Sequence, residues 1–243
     1  MPRFIRICAA LIAVCFVITI QACNQNSDYL SKVGKKILFN LGTIELKRAA
    51  KRGDVKAQHD LGMIYALTGD FAEAAKWYNK AAEQGDIKSQ TKLGYLYTEG
   101  GTGLPKNEAE ALKWYRKAAE QGDAGAQHAL GTIYTKGRGV AQDETEAIKW
   151  YRKSAEQGYL RSQIALGGIY MGNQDEAEAA IWFRKAAEQG DVGAQNILGF
   201  MYINGKGVAQ DEDEARKWYS KAADQGSAAA KNALEDMKKT DAR

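Results

Sequence analysis

From Asp54 onward, apolar residues recur at helical spacing while polar residues fill the opposite arcs. Trp150, Tyr151, Ser154 and Ala155 show the pattern: a bulky pair is followed, one turn later on the same helix face, by a small pair. The phrase holding them occurs five times, as KWYNKAAEQGD from Lys76, KWYRKAAEQGD from Lys113, KWYRKSAEQGY from Lys149, IWFRKAAEQGD from Ile181 and KWYSKAADQGS from Lys217. Seven residues before each tryptophan stands Asp70, Asn107, Asp143, Asp175 or Asp211, and three residues later Glu73, Glu110, Glu146, Glu178 or Glu214. This spacing predicts a capping box that starts a helix. Gly85, Gly122, Gly158, Gly190 or Gly226 follows eight residues after each tryptophan and predicts a left-handed helix stop.

A second, preceding helix is written less loudly. In AQHALGTIY at 126–134, Gln127, Leu130, Gly131 and Tyr134 lie at helical spacing, and equivalents recur in every unit. A glycine inside a helix costs about 1 kcal/mol relative to alanine. Its presence at Gly62, Gly94, Gly131, Gly167 and Gly199 therefore predicts a close approach by another helix. The five units run 54–85, 86–122, 123–158, 159–190 and 191–226, and a period near 36 residues predicts a stacked array rather than a single-cored globule. Three of them insert a glycine-rich turn, GGTGL, GRGV or GKGV, which lacks the phosphate-binding patterns and reads as a turn requiring positive φ. Residues 23–53 read as a tether and a divergent first repeat, and 227–243 as a polar capping helix in which Glu235 and Lys238 replace the usual Gly and Tyr.

These units resemble Sel1-like repeats, relatives of the tetratricopeptide repeat. The shared features are A-Q-x-x-L-G-x-x-Y, the optional G-x-G-V turn, the acidic cap, A-x-x-W-Y/F and A-A-E-Q-G-D. The resemblance implies an all-α fold, a right-handed α-solenoid of helix-turn-helix units, acting as a non-enzymatic adaptor or scaffold for protein complexes.

The first 22 residues read differently. Arg3 and Arg6 precede Ile7–Ile20, a run without charge, in the layout of a secretory signal peptide. Ile20-Gln21-Ala22-Cys23 resembles the lipobox of bacterial lipoproteins, with Gln21 the residue that departs from it. The resemblance implies cleavage before Cys23, its acylation, and stable insertion in a lipid bilayer. Asn24, in place of an inner-membrane-retaining aspartate, points to the outer membrane, facing the periplasm. All three cysteines, Cys8, Cys15 and Cys23, lie in this stretch, so the repeats carry neither a disulfide nor a thiolate metal site.

Charge changes the picture little. Of 34 basic residues, setting aside Arg3 and Arg6 leaves 32 against 30 acidic ones, which argues against nucleic acid as a partner. The only histidines, His59 and His128, sit two repeats apart, roughly 20 Å by helix packing distances, too far to share a metal. No cofactor is expected. Ser89-Gln90-Thr91-Lys92 matches the S-x-x-K of penicillin-recognising enzymes, but S-D-N and K-T-G are missing. An envelope hydrolase of β-lactamase or peptidoglycan-processing type is thus the competing reading.

Residues that the copies do not share are the better guide to binding. On the first helices, the arc opposite the repeated positions carries His59 and Met63, Thr91 and Tyr95, His128 and Thr132, Ile164, then Asn196 and Phe200. Packing does not dictate these identities, so this arc is the candidate protein-binding face, the concave side in related solenoids.

Overall fold

A computed structural model describes residues 44–241. The signal segment, Cys23 and the tether up to residue 43 lie outside the described residues. Among the described residues the chain is all helical, apart from an isolated bridge between Gly101 and Leu104. The helices are α1 (residues 44–51), α2 (Val55–Leu67), α3 (Phe71–Glu83), α4 (Ile87–Glu99), α5 (Glu108–Glu120), α6 (Ala124–Lys136), α7 (Glu144–Glu156), α8 (Leu160–Gly172), α9 (Glu176–Glu188), α10 (Val192–Asn204), α11 (Glu212–Asp224) and α12 (Ala228–Asp241). They form two compact units, one ending at Gln121 and the other starting at Gly122. The first holds the pairs α2/α3 and α4/α5, preceded by α1. The second holds α6/α7, α8/α9 and α10/α11, followed by α12.

Each pair closes on its aromatic doublet. Trp77, Tyr78, Trp114, Tyr115, Tyr151, Trp182, Phe183, Trp218 and Tyr219 are buried, with the small residues of the same stripe beside them. The helical glycines lie under the second ring. A Cβ on Gly94 would come within 2.6 Å of Tyr115, one on Gly131 within 2.6 Å of Tyr151, and one on Gly167 within 2.8 Å of Phe183. The approaching element is therefore the partner helix of the same pair. Another glycine is forced by backbone: a Cβ on Gly207 would sit 2.0 Å from the Glu176 carbonyl oxygen. The long turns do use positive φ, at Gly137 and Gly205 among others.

The capping box is half as expected. Asp70, Asn107, Asp143, Asp175 and Asp211 each accept from the backbone N–H three residues on, at 2.9–3.2 Å. The glutamates, however, do not return to the cap. The cap N–H already donates to a tyrosine carbonyl of the preceding helix, as Asn107 does to Tyr97 and Asp211 to Tyr202. The glutamate is thereby free to accept from the indole N–H one turn later, in Trp114 to Glu110, Trp182 to Glu178 and Trp218 to Glu214. A lysine four residues before each closing Gln stacks on the outer face of the same indole, 4.0–4.5 Å from Lys80, Lys117, Lys153, Lys185 or Lys221 to the ring. The first helices have caps of their own, Asp54, Asp86, Asp123 and Asp191; α8, begun by Tyr159, has no side-chain cap.

Adjacent pairs are joined by glutamines. Gln58 donates to the Ala50 carbonyl, Gln90 to Ala82, Gln163 to Ala155 and Gln195 to Ala187, each 3.0–3.2 Å and spanning the turn at a left-handed glycine. The glutamine that closes the second helix completes the joint, Gln84 donating to Gln58, Gln121 to Gln90 and Gln189 to Gln163. Each of these carbonyls also accepts from the N–H of the turn glycine, so the bond chiefly satisfies the buried amide, which would cost about 1–3 kcal/mol if left unpaired, and marks it as a structural group. In α12, Ala230 is buried and Ala233, Leu234 and Met237 pack on α10/α11, while the rest of the helix is polar.

Candidate functional site

The candidate face begins, in the first unit, on α2 and α4. His59 is half-buried, its ring tilted against Tyr78 at 5.5 Å between centroids. Its Nδ1 is 2.9 Å from Ser89 Oγ and 3.3 Å from Asp86 Oδ2. Nearby, burial raises the Asp60 carboxyl above the usual range, against the opposing pull of His59. Met63 packs on the core around Tyr78 and Leu93. Thr91 returns its hydroxyl to the Ile87 carbonyl one turn back, and Tyr95 stands 56% exposed.

The second unit repeats the arrangement with different chemistry. His128 lies between Tyr151 and Tyr159, 5.3 Å from each, and its Nδ1 is 2.9 Å from Ser162 Oγ. Ser162 donates its only hydroxyl hydrogen to Ser154, which donates to the Ala124 carbonyl. His128 must then donate through Nδ1–H, which fixes its tautomer. Burial first, and then the charge of Arg161, lowers the His128 pKa to about 4. Thr132 donates to the His128 carbonyl and meets Tyr151 Oη at 3.1 Å. Ile164 is half-buried against the core of α10 and α11, and Asn196 bonds Val192 and Ser227. Phe200 is 48% exposed, with Lys206 Nζ 5.9 Å from its ring.

Thus Thr91, Thr132 and Asn196 spend their side-chain polar groups inside the array, as His59 and His128 do their Nδ1 atoms. Tyr95 and Phe200 are the members of the predicted set that offer large exposed rings. The histidine–serine bonds escape sequence reasoning because the partners are about thirty residues apart; a shared Ser one residue before the repeated Gln, at Ser89 and Ser162, was the available signal. Ser89 is fully buried and held by His59, while Lys92 of the same S-x-x-K match is exposed, so the serine is closed to substrate. Among the described residues no group of acidic, His or Cys side chains is arranged to hold a metal ion, and no helix is long and apolar enough to cross a membrane.

Stacked helix pairs with glycine-seated aromatics and glutamine joints define a tetratricopeptide-like repeat protein. The Sel1 repeat model matches residues 87–123, 124–159, 160–191 and 192–227, more than half of the chain, and the tetratricopeptide repeat model matches 55–85. The chain belongs to the Sel1 repeat family. Among solved structures it is similar to c5321, described as a protective antigen present in uropathogenic Escherichia coli strains displaying an SLR fold. That likeness has a TM-score of 0.74 and 38% identity over 78% of this chain and 42% of the other. It is also similar to a Sel1 repeat protein from Oxalobacter formigenes, with a TM-score of 0.69 and 34% identity over 79% of this chain and 57% of that one. The chain thus spans about half the length of these relatives. No curated protein matches it.

Proposed function

We propose that this chain is a non-enzymatic protein-interaction scaffold of the bacterial cell envelope, anchored through acylated Cys23 at the outer membrane and facing the periplasm. Sel1 repeat proteins are typically non-catalytic scaffolds that bind protein partners. The observation that carries the reading is the division of labour along the array. Residues repeated in every unit are spent on packing and joints, whereas Tyr95 and Phe200, on unshared positions of the first helices, present exposed aromatic rings. Aromatic anchors of this kind dominate protein interfaces. The anchor is supported by the lipobox-like Ile20–Cys23 and the uncharged run before it.

Two experiments test the two halves. Tyr95→Ser and Phe200→Ser, which remove exposed rings, are expected to weaken partner capture in envelope extracts without lowering the melting temperature; undiminished capture by the double variant contradicts the face. Cys23→Ser is expected to release the protein from membranes. A variant that remains membrane-bound and unprocessed contradicts the anchor.

A further inference from the structure

The near-neutral charge of the whole chain conceals one strongly biased helix. In the second helices of the complete repeats, basic residues never outnumber acidic ones: Glu73 and Glu83 face Lys76 and Lys80 in α3, three glutamates face three cations in both α5 and α7, and α9 and α11 each carry one acidic residue in excess. α1 occupies the same architectural place. Ala50 receives the Gln58 amide as Ala82 receives that of Gln90, and Gly53 takes the same left-handed φ as Gly85. Yet between residues 44 and 52 stand Lys47, Arg48, Lys51 and Arg52 against Glu45 alone.

Geometry sorts these residues into two faces. Ala50 is buried, Leu46 and Ala49 pack on Leu61 and Trp77, and Lys47 lies over the Tyr65 ring. Ile44, Arg48, Lys51 and Arg52 follow one another at i, i+4, i+7 and i+8 and are all exposed, and among the described residues the three cations make no ion pair. Ile44 is 52% exposed, an apolar side chain closing a cationic stripe. Lys32, Lys35 and Lys36 add the same sign just upstream in the sequence.

We propose that this outer stripe of α1 docks on the anionic headgroups of a phospholipid bilayer, Arg48, Lys51 and Arg52 meeting phosphates and Ile44 entering the interface. The proposal rests on the anchoring at Cys23, which precedes Ile44 by only about twenty residues and brings the helix to the membrane surface. Lys and Arg side chains are drawn to an anionic surface by an attraction that fades within a Debye length of about 8 Å at physiological salt. Acyl chains would hold the protein on the membrane; the stripe would hold the first repeat flat against it.

The test uses the full acylated chain with Ile44→Cys, whose thiol carries an environment-sensitive dye, on vesicles with headgroup-spin-labelled lipid. Flotation reads the anchor and quenching reads the docking. Quenching is expected to be several-fold stronger on vesicles of phosphatidylglycerol and phosphatidylcholine than on phosphatidylcholine alone. It should be lost in Arg48→Gln/Lys51→Gln/Arg52→Gln and kept in Arg48→Lys/Arg52→Lys. Equal quenching on both vesicles, or undiminished quenching in the triple glutamine variant, overturns the proposal. A chain that fails to float refutes the anchor; docking is then read by sedimentation with phosphatidylglycerol vesicles, where loss in the triple variant supports it and absence of binding overturns it. Tighter binding of a single-stranded RNA oligomer than of these vesicles, through the same three residues, also overturns it.

Discussion

The junction between α2/α3 and α4/α5 in the first unit and that between α6/α7 and α8/α9 in the second are built on one plan with opposite electrostatics. Both tie a first-helix histidine to a serine of the next first helix at 2.9 Å. In the first, Asp86 caps α4 and stands beside the ring, and Asn79 occupies the position two residues after the tryptophan. In the second, Tyr159 replaces the aspartate and leans, tilted, against the ring, Ser154 extends the hydrogen-bond chain, and Arg152 pins the junction. Arg152 donates to Tyr170 Oη at 2.5 Å and lies 5.8 Å over the Trp182 ring, 3.7 Å from Glu178. The same arginine recurs in Arg184, bonded to Tyr202. One joint thus places a carboxylate beside its histidine, while the other surrounds the ring with aromatics and locks the neighbouring helices by a cation. Sequence repetition preserves the plan; single replacements choose the chemistry.

The largest contrast is expected at the serines. Ser162→Ala strands the His128 Nδ1–H among buried groups and should cost about 2 kcal/mol in urea unfolding. Ser89→Ala leaves His59 with Asp86 at 3.3 Å and should cost about half as much, on the order of 1 kcal/mol. Arginine comes next. Arg152→Ala should lose about 1–2 kcal/mol, a range reduced because the side chain is 41% exposed, whereas Asn79→Ala should fall within about 0.5 kcal/mol of the parent.

Acid should separate the junctions as well. The His128 pKa lies at about 4 folded and near 6.5 unfolded, so between those values the unfolded chain binds the additional proton. The stabilisation is complete above about pH 6.5 and is lost as pH falls toward 4, amounting to about 1–2 kcal/mol after discounting for the ring's partial exposure. A pH series of melts on the parent and on His128→Phe checks this, the variant losing that part of the slope. Tyr159→Asp, which rebuilds the first junction within the second, should supply the missing cap for about 1 kcal/mol and flatten the same pH slope. The smallest effect is expected at the short turns. Gly69 serves one of them with φ +83, and Gln174 serves the other with φ +63. Gln174→Gly should stabilise by about 0.5–1 kcal/mol in a thermal melt.

Much of this architecture was legible in the sequence because it is local. Caps, stops and apolar stripes obey spacings of three, four and seven residues, and the chain states them repeatedly. The glycine seats of Gly94 and Gly131 were readable as close approaches for the same reason, although the approaching ring was not. What stayed hidden depends on residues that meet only after stacking. His128 reaches Ser162 across two helices, and Glu110 turns from the expected cap to the Trp114 indole because a Tyr97 carbonyl has already taken the cap N–H. The candidate face was legible as an arc but not as a surface. Sequence could not show that Asn196 is spent on Val192 and Ser227 while Tyr95 and Phe200 remain exposed. The charge of α1 was hidden by averaging over the whole chain.

The central claim, that the repeated residues build the array and the unshared first-helix positions bind, is tested most directly by photocrosslinking in intact cells. A photoreactive amino acid is placed at Tyr95, at Phe200 and, on the exposed outer side of a second helix, at Lys117. Crosslinks from Tyr95 and Phe200 to a common protein partner, with none from Lys117, are the predicted result. Crosslinks from Lys117 alone, or the same products from all three positions, would contradict it.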